Sequence, residues 1–147
     1  MSHLVLPSLV LEDSFGQLRR CGEGRAECVL YWCAPLDRPD TLIRAVHPAH
    51  ESGYAWYEVD SAWVTEFFLD LRHRRETVRV QVHTHPAGAS HSHTDDQFSL
   101  APAAGFLSLV IPQFATGQAG LAGTALVVMR PDGTWEPADP RAVFRVE

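Results

Sequence analysis

The stretch from Val82 to Asp96, VHTHPAGASHSHTDD, constrains this chain more than any other. It closes the run Thr77–His83, TVRVQVH, whose alternation of polar and apolar residues is that of a β-strand. Side chains at i and i+2 of a strand point the same way, so His83 and His85 present two imidazoles from one face at the strand's end. Four of the chain's eight histidines and two aspartates, Asp95 and Asp96, fall within this one stretch. Two histidines so placed suit a metal ion. The plainer reading, two solvated side chains at a strand end, is weakened by Pro86 and the acids downstream.

Around that strand the sequence predicts alternating elements. Ser8 can cap a helix to Leu18 with Leu11, Phe15 and Leu18 at helical spacing, and CGEGR then stops it. ECVLYWCA (Glu27–Ala34), TLIRAVH (Thr41–His47) and YAWYEV (Tyr54–Val59) read as three strands of a meander, separated by turns bearing Pro, Asp and Gly. A second helix starts at Asp60 or Ser61 and carries Val64, Phe67, Phe68 and Leu71 on one face. It ends in Arg72 to Arg75, where positive charge suits the helix dipole. Ser92–Ala101 can form a short helix, and GFLSLVI and TALVVMR two further strands, with GTWEP trailing. The order αβββαβαββ is an α/β (α+β) pattern without repeats, low complexity or a linker, and 147 residues fit one domain with a real core.

Composition narrows the partners. A formal charge of −6 gives no electrostatic reason to expect nucleic acid or an anionic membrane. No run of about 18 apolar residues could span a bilayer, and the opening residues lack a basic, cleavable leader pattern. The chain therefore reads as soluble and cytoplasmic. Cys21, Cys28 and Cys33 are odd in number and form no CxxC pair, which suggests neither a disulfide framework nor a cysteine-based zinc site. Cys28 and Cys33 read as small buried residues, and Trp32, Trp56 and Trp63 as core aromatics. His3, His47, His50 and His73 have no motif context.

A catalytic zinc usually has three protein ligands, so a third N or O donor is needed near His83 and His85. Asp95 and Asp96 are the candidates, and Ser92-His93-Thr94-Asp95 has the S-x-x-D form of a helix start. A metallo-β-lactamase-type HxHxDH site would need Asp and His where Ala87 and Gly88 stand. A cupin-type site would want Glu at Ala89 or Ser90, so both are excluded.

His83-Thr84-His85-Pro86 followed by Ser92 and Asp95 resembles the H-x-H-P-x(n)-S-x-x-D motif of the JAMM/MPN (JAB-domain) metalloproteases, particularly small bacterial members. The resemblance covers most of the chain. It implies a curved mixed β-sheet flanked by helices, one Zn²⁺ per chain held by His83, His85 and Asp95, and catalytic roles for Glu27 and Ser92. Glu27 matches the upstream glutamate that the family uses as general base. Five residues separate Pro86 from Ser92, where eukaryotic members usually have six. The longer register would put His93 and Asp96 in place of Ser92 and Asp95, which alone keep both residue types. His91 and His93 are then left to roles behind the metal or in solvent.

The chemistry implied is hydrolysis. Zinc can lower the pKa of a bound water from 15.7 to about 7, Glu27 would take its proton and return it to the leaving amine, and Ser92 would steady the oxyanion. Relatives mostly cut after the Gly-rich tail of ubiquitin-like proteins, which makes such a protein or its conjugate the implied substrate and E1/E2-like enzymes possible partners. Bacterial members accompany ubiquitin-like conjugation and antiviral defence systems, or process sulfur-carrier precursors. Some MPN domains have lost the metal and act as binding or scaffold modules, the alternative function for this chain.

Overall fold

In the computed structural model, which describes residues 3–89 and 103–147, a six-stranded sheet organises the chain. Its strands are β2 (Val29–Pro35), β3 (Arg44–Val46), β6 (Glu76–Thr84), β7 (Leu107–Ile111), β8 (Ala125–Met129) and β9 (Trp135–Ala138). They lie in the order β3-β2-β6-β7-β8-β9, with β6 and β7 parallel and the other neighbours antiparallel. Two small sheets accompany it. In one, β1 (Leu4–Leu6) runs parallel to β10 (Phe144–Val146), and in the other β4 (His50–Gly53) and β5 (Trp56–Val59) make an antiparallel hairpin.

The alternation of strand residues sets the layers. Along β2, Leu30, Trp32 and Ala34 pack with Leu11, Phe15 and Leu18 of helix α1 (Ser8–Gly22). Val29, Tyr31 and Cys33 pack with Phe67 and Leu71 of helix α2 (Ser61–Arg74) on the other face. A strand buried on both faces explains why its sequence is a continuous apolar run rather than an alternating one. On the α1 side the Trp32 indole donates to Ser14 Oγ at 2.8 Å, and Ser14 Oγ donates to the Val10 carbonyl at 2.6 Å, so the polar atoms buried there are satisfied. On the α2 side Tyr31, Trp63 and Phe67 stack, with ring centroids 6.2, 5.8 and 4.7 Å apart. Desolvation in this layer pushes the Cys33 thiol up to about 12, which keeps it protonated and inert.

The second helix forms where its sequence predicts: Asp60 caps it by accepting from the Trp63 N–H at 3.2 Å, and Arg72, His73 and Arg74 occupy its last turn. Of its expected apolar face, however, only Phe67 and Leu71 are buried, while Phe68 is 45% exposed. Helix α1 runs four residues beyond Leu18. Its N-terminal cap is Pro7 rather than Ser8, and it stops at Glu23, whose left-handed φ of 51° lets its N–H reach the Arg19 carbonyl at 2.9 Å. The predicted meander is corrected. Only Arg44–Val46 of the second run joins the sheet, and the third run pairs instead with β4, so Tyr57 faces the sheet while Trp56 is 49% exposed rather than core. The element order αβββαβαββ therefore omits β1, β4, β10 and the short helix α3 (Pro140–Val143), and the trailing segment becomes β9. The helix expected at Ser92–Ala101 lies outside the described residues.

The cysteine reading is corrected as well. Cys21 and Cys28 lie together as a disulfide, with their Cα atoms 6.1 Å apart, and Cys33 is the free buried cysteine. The spacing gave no warning because the pair bridges the end of α1 and the start of β2, two elements that meet only in the fold. None of the described helices is long and apolar enough to cross a membrane.

Candidate metal centre

Strand pairing brings three of the predicted site residues, Glu27, His83 and His85, to one end of one face. In the β2–β6 ladder Val29 is opposite His83. The pairing continues past β2: Thr84 N–H donates to the Cys28 carbonyl at 3.0 Å, and Cys28 N–H to Thr84 Oγ1 at 2.9 Å. Carrying that antiparallel register one residue further sets Glu27 opposite His85. Residues directly opposite share a face, so Glu27, His83 and His85 lie together on the α2 side.

The burial of these groups is unusual. His83 is fully buried and Glu27 is 3% exposed, whereas a carboxylate is withdrawn from water only where donors or positive charge compensate it. The His83 and His85 rings are 5.1 Å apart at 41°, close enough for two imidazoles to share one ion. Behind them the Tyr57 ring lies 5.3 Å from that of His83, and its hydroxyl accepts from the Gln81 amide at 2.9 Å. Tyr57 and Gln81 thus back the first histidine with one packed ring and one satisfied polar pair. Sequence reasoning missed both; the signal was Gln81, a polar residue at the face-sharing position i−2 from His83.

The segment after the histidines is held by a turn far away in sequence. At Gln113–Ala115 three successive non-glycine residues take φ of 56°, 53° and 61°, a region that costs L-residues energy unless the surroundings enforce it. Here they do. Gln113 N–H donates to the Ala87 carbonyl and Phe114 N–H to the His85 carbonyl, each at 2.9 Å, while His85 N–H donates to the Ile111 carbonyl at 2.9 Å. Residues 85–87 are therefore pinned on both sides. The Phe114 ring meets Tyr54, at the tip of the β4–β5 hairpin, edge-on at 5.6 Å. The same hairpin reaches Glu27, whose N–H donates to the Gly53 carbonyl at 2.9 Å. A Cβ at Gly53 would run into the Trp56 indole, so a larger residue there would displace that half-exposed ring.

The donor set fits zinc: two adjacent imidazoles and a buried carboxylate at the open end of a sheet are the ligand and base types of a hydrolytic site. Ser92 and Asp95, with Asp96, His91 and His93, lie outside the described residues.

Comparisons with known proteins agree with this architecture. No family model matches the chain. "Probable metalloprotease y4jG" of Sinorhizobium fredii is 38% identical over 74 residues, 50% of this chain and 45% of that protein, so the match spans less than half of the relative's length. Among solved structures, protein DSY2949 of Desulfitobacterium hafniense superposes with a TM-score of 0.68 at 15% identity, over 97% of this chain and 92% of that one. AF2198, a JAB1/MPN domain protein from Archaeoglobus fulgidus, superposes with a TM-score of 0.55 at 10% identity over the whole of both chains. The curved mixed sheet flanked by helices is thus the MPN/JAB fold.

Proposed function

We propose that this chain, whose fold and sequence relationship both support its assignment to the JAMM/MPN family, is a zinc-dependent peptidase or isopeptidase. The observation that carries the reading is the convergence of Glu27, His83 and His85 on one buried face through the β2–β6 register. His83 and His85 would hold the ion with Asp95 as third protein ligand. Bound zinc would supply a Lewis acid for the scissile carbonyl and a lowered pKa for water.

The remaining steps belong to the chain's own side chains. Glu27 takes the proton of the attacking water and delivers it to the leaving amine, and its burial keeps bulk water from competing for that proton. Ser92 donates a hydrogen bond to the developing oxyanion. Tyr57 and Gln81 keep the His83 ring in place, and the 113–115 turn fixes the backbone at His85.

For substrate we favour the extended, small-residue tail of a ubiquitin-like protein, either conjugated or as a precursor. Two features support this. The β4–β5 hairpin stands as its own two-stranded sheet beside Glu27, offering backbone groups to an added strand, and Ala87 to Ala89 next to His85 are small enough to let an extended backbone approach closely. A bacterial ubiquitin-like conjugation or defence system is the setting that such a substrate implies.

The test is hydrolysis of a ubiquitin-like protein fused through a Gly-Gly tail to a fluorophore, by wild type and Glu27→Gln. Turnover that needs added zinc and is lost in Glu27→Gln supports the reading. A wild-type chain that takes up no metal at the His83–His85 face, as judged by an unchanged metal content in His83→Asn/His85→Asn, removes it and leaves a binding module.

A further inference from the structure

On the opposite face of the sheet, at the same end, four more metal-binding side chains meet. Cys21 lies in the last turn of α1, Cys28 just before β2, His47 just after β3 and His50 at the start of β4. One ligand atom from each falls within 4.8 Å of all the others. Cys21 Sγ is 3.4 Å from His50 Nε2, and Cys28 Sγ is 3.2 Å from His47 Nε2. A tetrahedral zinc with Zn–S near 2.3 Å and Zn–N near 2.05 Å places sulfur and nitrogen about 3.5 Å apart. Both cross-pairs already stand at that edge length.

The proton inventory points the same way. His50 Nδ1 is 3.0 Å from the Pro48 carbonyl, which can only accept, so in the neutral ring Nδ1 carries the proton and Nε2 turns a bare lone pair toward sulfur. A disulfide sulfur has no proton to offer that lone pair. A cation between the lone pairs satisfies all four groups, and a backbone carbonyl on the distal ring nitrogen is how metal-bound histidines are commonly oriented.

We propose that Cys21, Cys28, His47 and His50 form a second, structural zinc site of the Cys2His2 type, separate from the His83–His85 centre. Four protein ligands leave no position for water, so the site is closed and not hydrolytic. Two thiolates with two imidazoles in a tetrahedral arrangement select zinc over harder divalent ions. The disulfide is the alternative state of the same sulfurs. A dithiol reductant supplies two electrons to break the S–S bond and is itself oxidised to a disulfide; the two sulfurs then bind as thiolates and any protons they carry are released. A shallow surface depression lined by Gln17, Arg20, Cys21 and His47 leaves the cluster open to solvent on one side. Its place in the fold explains its use. The ion would tie the end of α1 and the root of the β4–β5 hairpin to Cys28, whose neighbour is Glu27.

The decisive experiment uses the full chain, purified without a histidine tag under dithiol reductant, with zinc and cobalt as probes. Elemental analysis is expected to give two zinc ions in wild type, one in His83→Asn/His85→Asn and one in Cys21→Ser/Cys28→Ser. Cobalt bound to His83→Asn/His85→Asn should show thiolate-to-metal charge transfer and tetrahedral d–d bands, and His47→Asn, at an exposed position, should weaken both on an otherwise folded chain. Zinc added to the reduced, metal-free His83→Asn/His85→Asn chain should raise Tm by several degrees. Failure of the hydrolytic centre alone would leave one zinc in wild type and one in His83→Asn/His85→Asn, with the cobalt–thiolate spectrum intact. The second site is overturned if reduced His83→Asn/His85→Asn binds neither metal, or binds it without a thiolate spectrum.

Discussion

Two histidine pairs lie at the same end of the sheet on opposite faces, and they differ in how the chain assembles them. His83 lies in β6 and His85 one residue past its end, so the strand's period carried one step further sets the two rings side by side, 5.1 Å apart. His47 and His50 are three apart across the end of β3 and the start of β4, and they gain their sulfur partners from α1 and the residue before β2. The first pair is a local consequence of sequence and the second a product of tertiary structure. The lesson is that i, i+2 spacing at a strand end is enough to set two rings side by side, whereas side chains brought together by separate elements can be found only after folding.

The largest effect that would sharpen this contrast is catalytic. Glu27→Gln should lower turnover by about 10²- to 10⁴-fold, the usual worth of a general acid–base. Metal content should stay at the wild-type value, because Glu27 is assigned to the proton and not to the ion. Turnover close to wild type in a steady-state assay would take Glu27 out of the reaction.

Next in size is the loss of one metal equivalent. Asp95→Ala should lose the ion bound at His83 and His85, and Asp96→Ala should keep it, as read by elemental analysis. The reverse pattern would establish the longer register between Pro86 and the ligand, and shift the oxyanion role away from Ser92. Neither variant should disturb the Cys21, Cys28, His47 and His50 cluster, whose four side chains come from α1 and the ends of β2, β3 and β4.

The layers behind the two sites should respond in stability. Phe67→Ala on the α2 side removes a ring stacked on both Tyr31 and Trp63 and should cost about 3–5 kcal/mol in denaturant unfolding. Ser14→Ala on the α1 side removes the acceptor of the buried Trp32 indole and should cost about 1–3 kcal/mol. Equal and small effects would mean that the sheet is not held between the two helices as the contacts imply.

What could be read in advance follows the same division. The second helix, the alternation of β6 and the His-x-His-Pro end were legible because each is a periodic or local signal, and Asp60 as a cap needs only its own turn. The β4–β5 hairpin was not, since HESG carries little β preference and is a strand only because it pairs with WYEV. β1 was hidden for a similar reason: three residues, Leu4 to Leu6, are a strand only through partners distant in sequence, β10 and the bridge at Thr41. The Cys21–Cys28 approach was invisible because Cys-x6-Cys and His-x2-His match no common zinc spacing, and Trp56 looked like core until the hairpin turned it outward.

The smallest expected effect tests how the first site is backed. Tyr57 gives His83 two kinds of support, an aromatic ring 5.3 Å away and a hydroxyl that accepts from Gln81. Tyr57→Phe keeps the ring and withdraws the acceptor from a buried amide, so it should cost about 1 kcal/mol of stability with metal content and turnover little changed. Tyr57→Ala opens the space beside His83 and should weaken metal binding by about 10- to 100-fold, as the loss of groups that orient a ligand usually does. The two are separated by a metal competition titration with a chromogenic chelator. If Tyr57→Phe weakens the metal as much as Tyr57→Ala, the hydrogen bond through Gln81 positions the histidine and the ring is filler. If neither does, His83 is held by its strand alone, and the pair that sequence period predicts needs no help from the hairpin.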